Sequence, residues 1–121
     1  MTLSDISRAL ELESLTPAIA GGPADRAAVT IDRAPCSDLL SDVLANAPGG
    51  GLLLTIQVHL NVIAVAVHAG LAGVVFTSGL SPEEAVREKA AAEGLPLYGA
   101  AEPTFEVAGR LYALGLRGRH G

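Results

Sequence analysis

The stretch Leu52-Leu53-Leu54-Thr55-Ile56-Gln57-Val58-His59-Leu60-Asn61, with Val74-Val75-Phe76-Thr77-Ser78-Gly79 after it, decides how this chain is read. Two apolar runs each stop at a compact polar cluster. Neither run alternates apolar with polar residues, as a strand with one wet face would. Both therefore point to strands buried on two faces, the habit of parallel sheets covered by helices. Between them, residues 62–69 begin after Asn61, a capping residue type, and end near His68 and Gly70. Their Val and Ile content favours strand by propensity, but a helix preserves the strand–helix alternation. That segment is apolar all round, so a helix there could not lie on a sheet with one face in water. A second copy of the chain is the simplest cover, which places Val62, Ile63, Val65 and Ala66 at an expected dimer interface.

Outward from this centre the alternation continues. Residues 3–11 predict a short helix capped by Thr2 or Ser4, and residues 12–16 a short edge strand. Residues 17–27, with Gly21-Gly22-Pro23, read as a loop, and residues 28–31 as a strand. Ser37 is expected to cap a helix with a stripe of Leu39, Leu40, Val43, Leu44 and Ala47, ended by Pro48-Gly49-Gly50-Gly51. The central strands extend over 52–58 and 73–77. Ser81-Pro82-Glu83-Glu84 carries a cap, a proline at the first helical position and a glutamate three residues after the cap. Glu83 and Arg87 stand four apart in the favourable order. Gly94 closes that helix, 95–98 is a strand, and Thr104 caps a last helix burying Val107, Ala108, Leu111 and Tyr112. The pattern predicts an α/β fold, a three-layer α/β/α sandwich with a largely parallel sheet of about five strands. One domain spans 1–116, and 117–121 form a flexible tail.

Composition narrows the function classes. A chain of 121 residues can bury roughly two thirds of its unfolded surface in one core. The only aromatic residues are Phe76, Tyr98, Phe105 and Tyr112, so Ala, Val, Leu and Ile must build that core. Net charge is −5, and an acidic chain with no basic patch argues against a nucleic acid polymer as partner. The single cysteine, Cys36, excludes an internal disulfide and fits a reducing, cytoplasmic setting. Gln57, His59, Asn61 and His68 interrupt the apolar region and argue against a membrane span.

In parallel sheets, ligands gather beyond the carboxyl ends of the strands. Thr55, Gln57, His59, Asn61, Thr77, Ser78 and Gly79 stand there and form the candidate ligand site. Helix starts at Asn61 and Ser81 would add backbone N–H donors, which suit phosphate or carboxylate. The plain alternative is that Asn61 and Ser81 only cap helices and Gln57 only ties down a loop. His59 is a general base, a ligand contact or a loop histidine; no recognisable motif sets a carboxylate or nucleophile beside it. His68 suits the end of its helix. No zinc spacing, no GxxxxGK[ST] and no GxGxxG occurs, so no metal or cofactor is expected. Cys36, before a helix start, is either a reactive thiol or a small buried side chain. Asp38 complements a helix dipole, and Asp42 faces water.

Three segments carry a family resemblance: Ser37-Asp38-Leu39-Leu40-Ser41-Asp42-Val43-Leu44-Ala45-Asn46-Ala47, then Thr55 through Ala66, then Phe105-Glu106-Val107-Ala108-Gly109-Arg110-Leu111-Tyr112. Together they resemble a stand-alone DRTGG domain. The same kind of domain forms the N-terminal part of HPr kinase/phosphorylase and occurs in long phosphotransacetylases and CBS-type pyrophosphatases. The resemblance implies an α/β/α fold and a regulatory or dimer-forming role, with the chemistry elsewhere. Two departures stand out. Residues 30–35 lack the glycine pair usual before Ser37-Asp38, and Thr77-Ser78-Gly79 stands where Thr-Gly-Gly is more usual. The combined expectation is a non-catalytic regulatory or ligand-sensing homodimer for a small anionic metabolite or nucleotide. The alternatives are an adaptor subunit of a neighbouring metabolic enzyme or redox complex and, third, a small enzyme using His59.

Overall fold

The structure, a computed structural model, describes residues 1–16 and 29–118. Among these residues the chain forms α1 (Leu3–Ala9), β1 (Glu13–Ser14), α2 (Leu40–Asn46), β2 (Leu52–Thr55), α3 (Asn61–His68), β3 (Gly73–Phe76), α4 (Glu84–Ala92), β4 (Leu97–Gly99) and α5 (Thr104–Ala113). The sheet runs β1-β4-β3-β2. The three strands β4, β3 and β2 are parallel, and β1 joins the edge antiparallel to β4. The protein is thus mixed α/β with a mostly parallel sheet, four-stranded among the described residues. The expected strand at 28–31 explains the difference from five, while residues 33–36, not expected as a strand, come near to being one. Residues 33–36 run alongside β2 and accept from the Leu52 and Leu54 amides at 2.9 Å each, through the carbonyls of Arg33 and Pro35. Pro35 has no N–H to contribute, so the pairing thins to a single bridge between Cys36 and Leu54. In the predicted strand 28–31, Thr30 makes one bridge to Thr2. Ala28 and the expected loop at 17–27 lie outside the described residues.

The continuous apolar runs do what two-faced burial requires: every residue of β2 and β3 is buried. Their side chains divide by the two-residue period of a strand. Leu53, Val74, Phe76 and Leu97 pack with Val43 of α2, with Val62, Ile63 and Ala66 of α3, and with Val86 and Ala90 of α4. Leu52, Leu54 and Val75 pack with Leu3 and Ile6 of α1 and with Val107 and Leu111 of α5. Gly73 allows β3 to sit between its neighbours: a Cβ there would lie 3.1 Å from the Pro96 carbonyl and 3.4 Å from a Leu52 methyl.

The covering of α3 differs from expectation. Val62, Ile63 and Ala66 are buried in this chain's own core, and Val65 is partly buried against it. Packing against α2 and α4 hides them, so they form an internal seam and not an outer dimer surface. The exposed side of α3 is Asn61, Ala64, Val67 and His68. Helix α2 starts at Leu40, not at Ser37, whose hydroxyl accepts instead from the Leu39 amide at 3.3 Å. Of its expected apolar stripe only Val43 is buried, while Leu39 is 64% exposed. Tyr112, expected in the core, is 61% exposed, with the Arg117 guanidinium 3.9 Å above its ring. Arg117 itself, expected in a loose tail, is tied in: its amide donates to Asp32 and its carbonyl accepts from Ala34. Thr2 caps α1 as expected, in a reciprocal capping box with Asp5.

Candidate functional site

The carboxyl ends of β2 and β3 lie side by side, but the two threonines there do not converge. Thr55 is in register with Phe76, so Thr77, one residue further, points to the opposite face of the sheet. Both are fully buried. The Thr55 hydroxyl donates to Asp38 Oδ1 at 2.9 Å, on the side of α2, while the Thr77 hydroxyl bonds that of Thr104 at the start of α5.

From Thr55 onward a relay of local bonds shapes the loop at 56–60. Asp38 Oδ1 also accepts from the Ile56 amide at 2.8 Å, and Thr55 Oγ1 accepts from the Gln57 amide at 3.0 Å. Gln57 Oε1 accepts from the His59 amide at 3.3 Å, and His59 Nδ1 accepts from the Asn61 amide at 3.1 Å. The relay changes two sequence readings. Asn61 is the first residue of α3, not its cap, and the imidazole of His59 takes its N–H. The Val62 and Ile63 amides are also taken, by the carbonyls of His59 and Leu60. These amides are thereby withdrawn from anion binding. An Nδ1 that accepts a hydrogen bond places the proton of the neutral ring on Nε2. Gln57, its carbonyl oxygen engaged, likewise keeps its NH2 group for another partner.

Gln57 and His59 line a cleft of about 580 Å3 between the β2–α3 loop and the start of α4. Ser81, Glu83 and Val86 form the facing wall. Ser81 is exposed and is not a cap: α4 begins three residues later, with Glu83 at the cap position and no side-chain cap bond. Arg87, expected to pair with Glu83, sends its Nε to the Leu15 carbonyl and ties α4 to the β1 end. The cleft thus offers three side-chain donors, from Gln57, His59 and Ser81, and one carboxylate, Glu83. A smaller hollow of about 280 Å3, lined by Glu11, Glu13 and the turn at Gly79-Leu80-Ser81, meets it at Ser81.

Ser78 and Gly79 act through their backbone, and only Gly79 borders the smaller hollow. Both adopt left-handed φ values, +61° and +70°. Their amides donate to the carbonyls of Glu102 at 2.7 Å and Ala100 at 2.9 Å. Of the expected site residues, the structure therefore brings Gln57 and His59 together at a cleft, and Thr55 supports them from below. Thr77 faces the other layer, and Ser78 and Gly79 anchor one loop to another. Asp38 and Glu83 join the candidate site at positions that sequence spacing did not suggest, Asp38 lying 17 residues from its Thr55 partner and Glu83 on the cleft wall.

Elsewhere, His68 ends α3 at its surface, as expected. Cys36 is exposed, not buried, and its Sγ lies 3.6 Å from the Ala34 carbonyl. Among the described residues no group of three His, Cys, Asp or Glu is placed to hold a metal. None of their helices is long and apolar enough to cross a membrane. No family model and no curated protein matches this chain.

Proposed function

We propose that this chain is a non-catalytic, cytoplasmic ligand-sensing domain of the DRTGG kind, an α/β/α sandwich acting as a homodimer. It takes a small anionic metabolite or nucleotide in the Gln57–His59 cleft. The observation that carries this reading is the relay Thr55–Gln57–His59–Asn61, which holds Gln57 and His59 on the rim of an open cleft with donor groups unspent. Those donors, with the Ser81 hydroxyl, suit phosphate or carboxylate oxygens, and Glu83 suits a hydroxyl or amino group on the same ligand. Anion recognition then rests on side chains, because the α3 amides are already satisfied. The non-catalytic assignment is supported by the partner of His59: its Nδ1 faces a backbone N–H, not the carboxylate that orients a general base. The DRTGG assignment is supported by Ser78, whose φ of +61° occupies the backbone region where that pattern carries glycine.

A thermal-shift screen with nucleotides and phosphorylated metabolites tests the reading. A true ligand at 100 times its Kd adds about 2.7 kcal/mol of stability. That gain falls away in Gln57→Ala and His59→Ala. The absence of any shift across the screen refutes the sensor.

A further inference from the structure

Two spaces open side by side at the carboxyl end of the sheet, and Ser81 lines both. The larger is the Gln57–His59 cleft. The smaller, about 280 Å3, is bordered by Glu11, Glu13 and Ser81, and it has few donors to give an anion. The amides of Glu11, Leu15, Gly79, Leu80 and Ala100 are all spent on backbone carbonyls. Ser81 apart, its polar side chains are the two carboxylates. Glu11 and Glu13 are exposed and enter no ion pair among the described residues, and the same holds for Glu83 in the cleft. Arg87, four residues after Glu83, could have neutralised it, but gives its Nε to the Leu15 carbonyl instead. Among the described residues no Lys or Arg lines either space. Three carboxylates without counter-charge thus border the two spaces that meet at Ser81, beside the unspent donors of Gln57 and His59.

From this arrangement we infer that the ligand is a short zwitterion, an ammonium group joined through a few carbon atoms to a phosphate or carboxylate. Its anionic oxygens take the donors of Gln57 and His59. Its ammonium sits where the two spaces meet, between Glu83 and the Glu11–Glu13 pair. Ser81 and Glu83 are two residues apart, so the chain between them spans at most about 7 Å, and a small molecule can reach both groups. An anion lacking the amine would enter a space with three uncompensated negative charges, whereas an ammonium turns that repulsion into attraction. A simple amine would leave the donors of Gln57 and His59 unanswered. The inference rests on the cleft proposed above as the ligand site and narrows its ligand to an amine-bearing anion.

Matched probes, titrated against the backbone amide resonances of the full chain, test it: phosphoethanolamine against ethyl phosphate, and β-alanine against propionate. The first pair carries phosphate as the anionic end and the second carboxylate, which separates the two sources. The expected result is that, in at least one pair, the amine-bearing probe binds about tenfold more tightly than its twin, the combined effect of a few exposed charge pairs. That advantage should shrink severalfold in Glu83→Gln and in Glu11→Gln combined with Glu13→Gln. All three side chains are exposed, so these variants keep the fold, and the far-ultraviolet spectrum checks it. Equal binding within both pairs, weakened by Gln57→Ala, overturns the zwitterion and leaves the anion site in place. Ethylamine binding as tightly as the zwitterions, and unaffected by His59→Ala, overturns the anionic reading of the cleft as well. No binding by any of the probes at millimolar concentration overturns the inference, and the sensor falls with it only when the nucleotide and metabolite screen is also silent.

Discussion

The bond between Thr55 and Asp38 is the point where the sheet takes hold of the candidate site, and its removal has a calculable cost. Thr55 is fully buried and its hydroxyl serves twice, donating to Asp38 Oδ1 at 2.9 Å and accepting from the Gln57 amide at 3.0 Å. Thr55→Val keeps the side-chain shape and deletes both. A hydrogen bond to a charged group contributes about 1.5–3 kcal/mol, and the exposure of Asp38 argues for the low end. Water can reach the half-buried Gln57 amide, so a total of about 2 kcal/mol is expected for Thr55→Val, or about 8 °C in Tm for a domain of this size. Asp38→Ala strands the buried hydroxyl and releases the Ile56 amide, costing about 1–2 kcal/mol. Because the two variants break the same bond, the double variant should cost about 1 kcal/mol less than the sum. Urea titrations of the four proteins supply this cycle, and hydrogen exchange supplies the local readout. The amides of Ile56, Gln57, His59 and Asn61 should exchange faster in Thr55→Val while those of β3 keep pace with global stability. Additivity within about 0.3 kcal/mol would show that the two side chains do not cooperate and would refute the relay as the support of His59.

Four further variants probe the backbone and the ionisable groups of the fold. Ser78→Gly should stabilise the fold by about 0.5–1 kcal/mol in urea, because it relieves a left-handed φ that costs serine but not glycine. Gly73→Ala should destabilise it by about 1–3 kcal/mol, since the new Cβ meets the Pro96 carbonyl at 3.1 Å and β3 has no room to shift between two paired strands. Hydrogen bonds from the Thr2 backbone and hydroxyl-mediated cap hold the Asp5 carboxyl below its ordinary 3.8. Its stabilising contribution is therefore present above that value and lost as pH falls through the lower folded value. Asp5→Ala should accordingly lower Tm at neutral pH and match the parent in strong acid. Burial pushes the Tyr98 phenol above its ordinary 10.0, so from that value upward the unfolded chain ionises while the folded one stays neutral. Stability should fall with rising pH there, and Tyr98→Phe should flatten the alkaline limb of the Tm profile.

What the sequence disclosed and what it concealed follow a physical line. Residues 52–54 and 74–76 were legible as two-faced strands because burial on both sides demands apolar residues at every position, which is a local property. The polar ends after Thr55 were legible for the same reason. Helix starts were less so. Ser37, Asn61 and Ser81 are all good capping types, yet the helices begin at Leu40, Asn61 itself and Glu84, because a cap depends on the turn that precedes it and not on residue type alone. The apolar girth of α3 announced that it would be covered on several sides, but the cover is α2 and α4, and that packing is invisible to a periodicity.

The candidate site shows the deepest form of this limit. Thr55 and Thr77 each end a strand, and each looks equally fit for a ligand when read alone. Their faces are set by the register that pairs Thr55 with Phe76, and register is a property of two strands together. A slip of one residue would have turned Thr77 toward Asp38. The observed register instead sends it to Thr104 and leaves the β2–α3 loop alone to present Gln57 and His59. Which of the two threonine ends underlies the cleft is therefore a consequence of strand pairing and not of any motif along the chain.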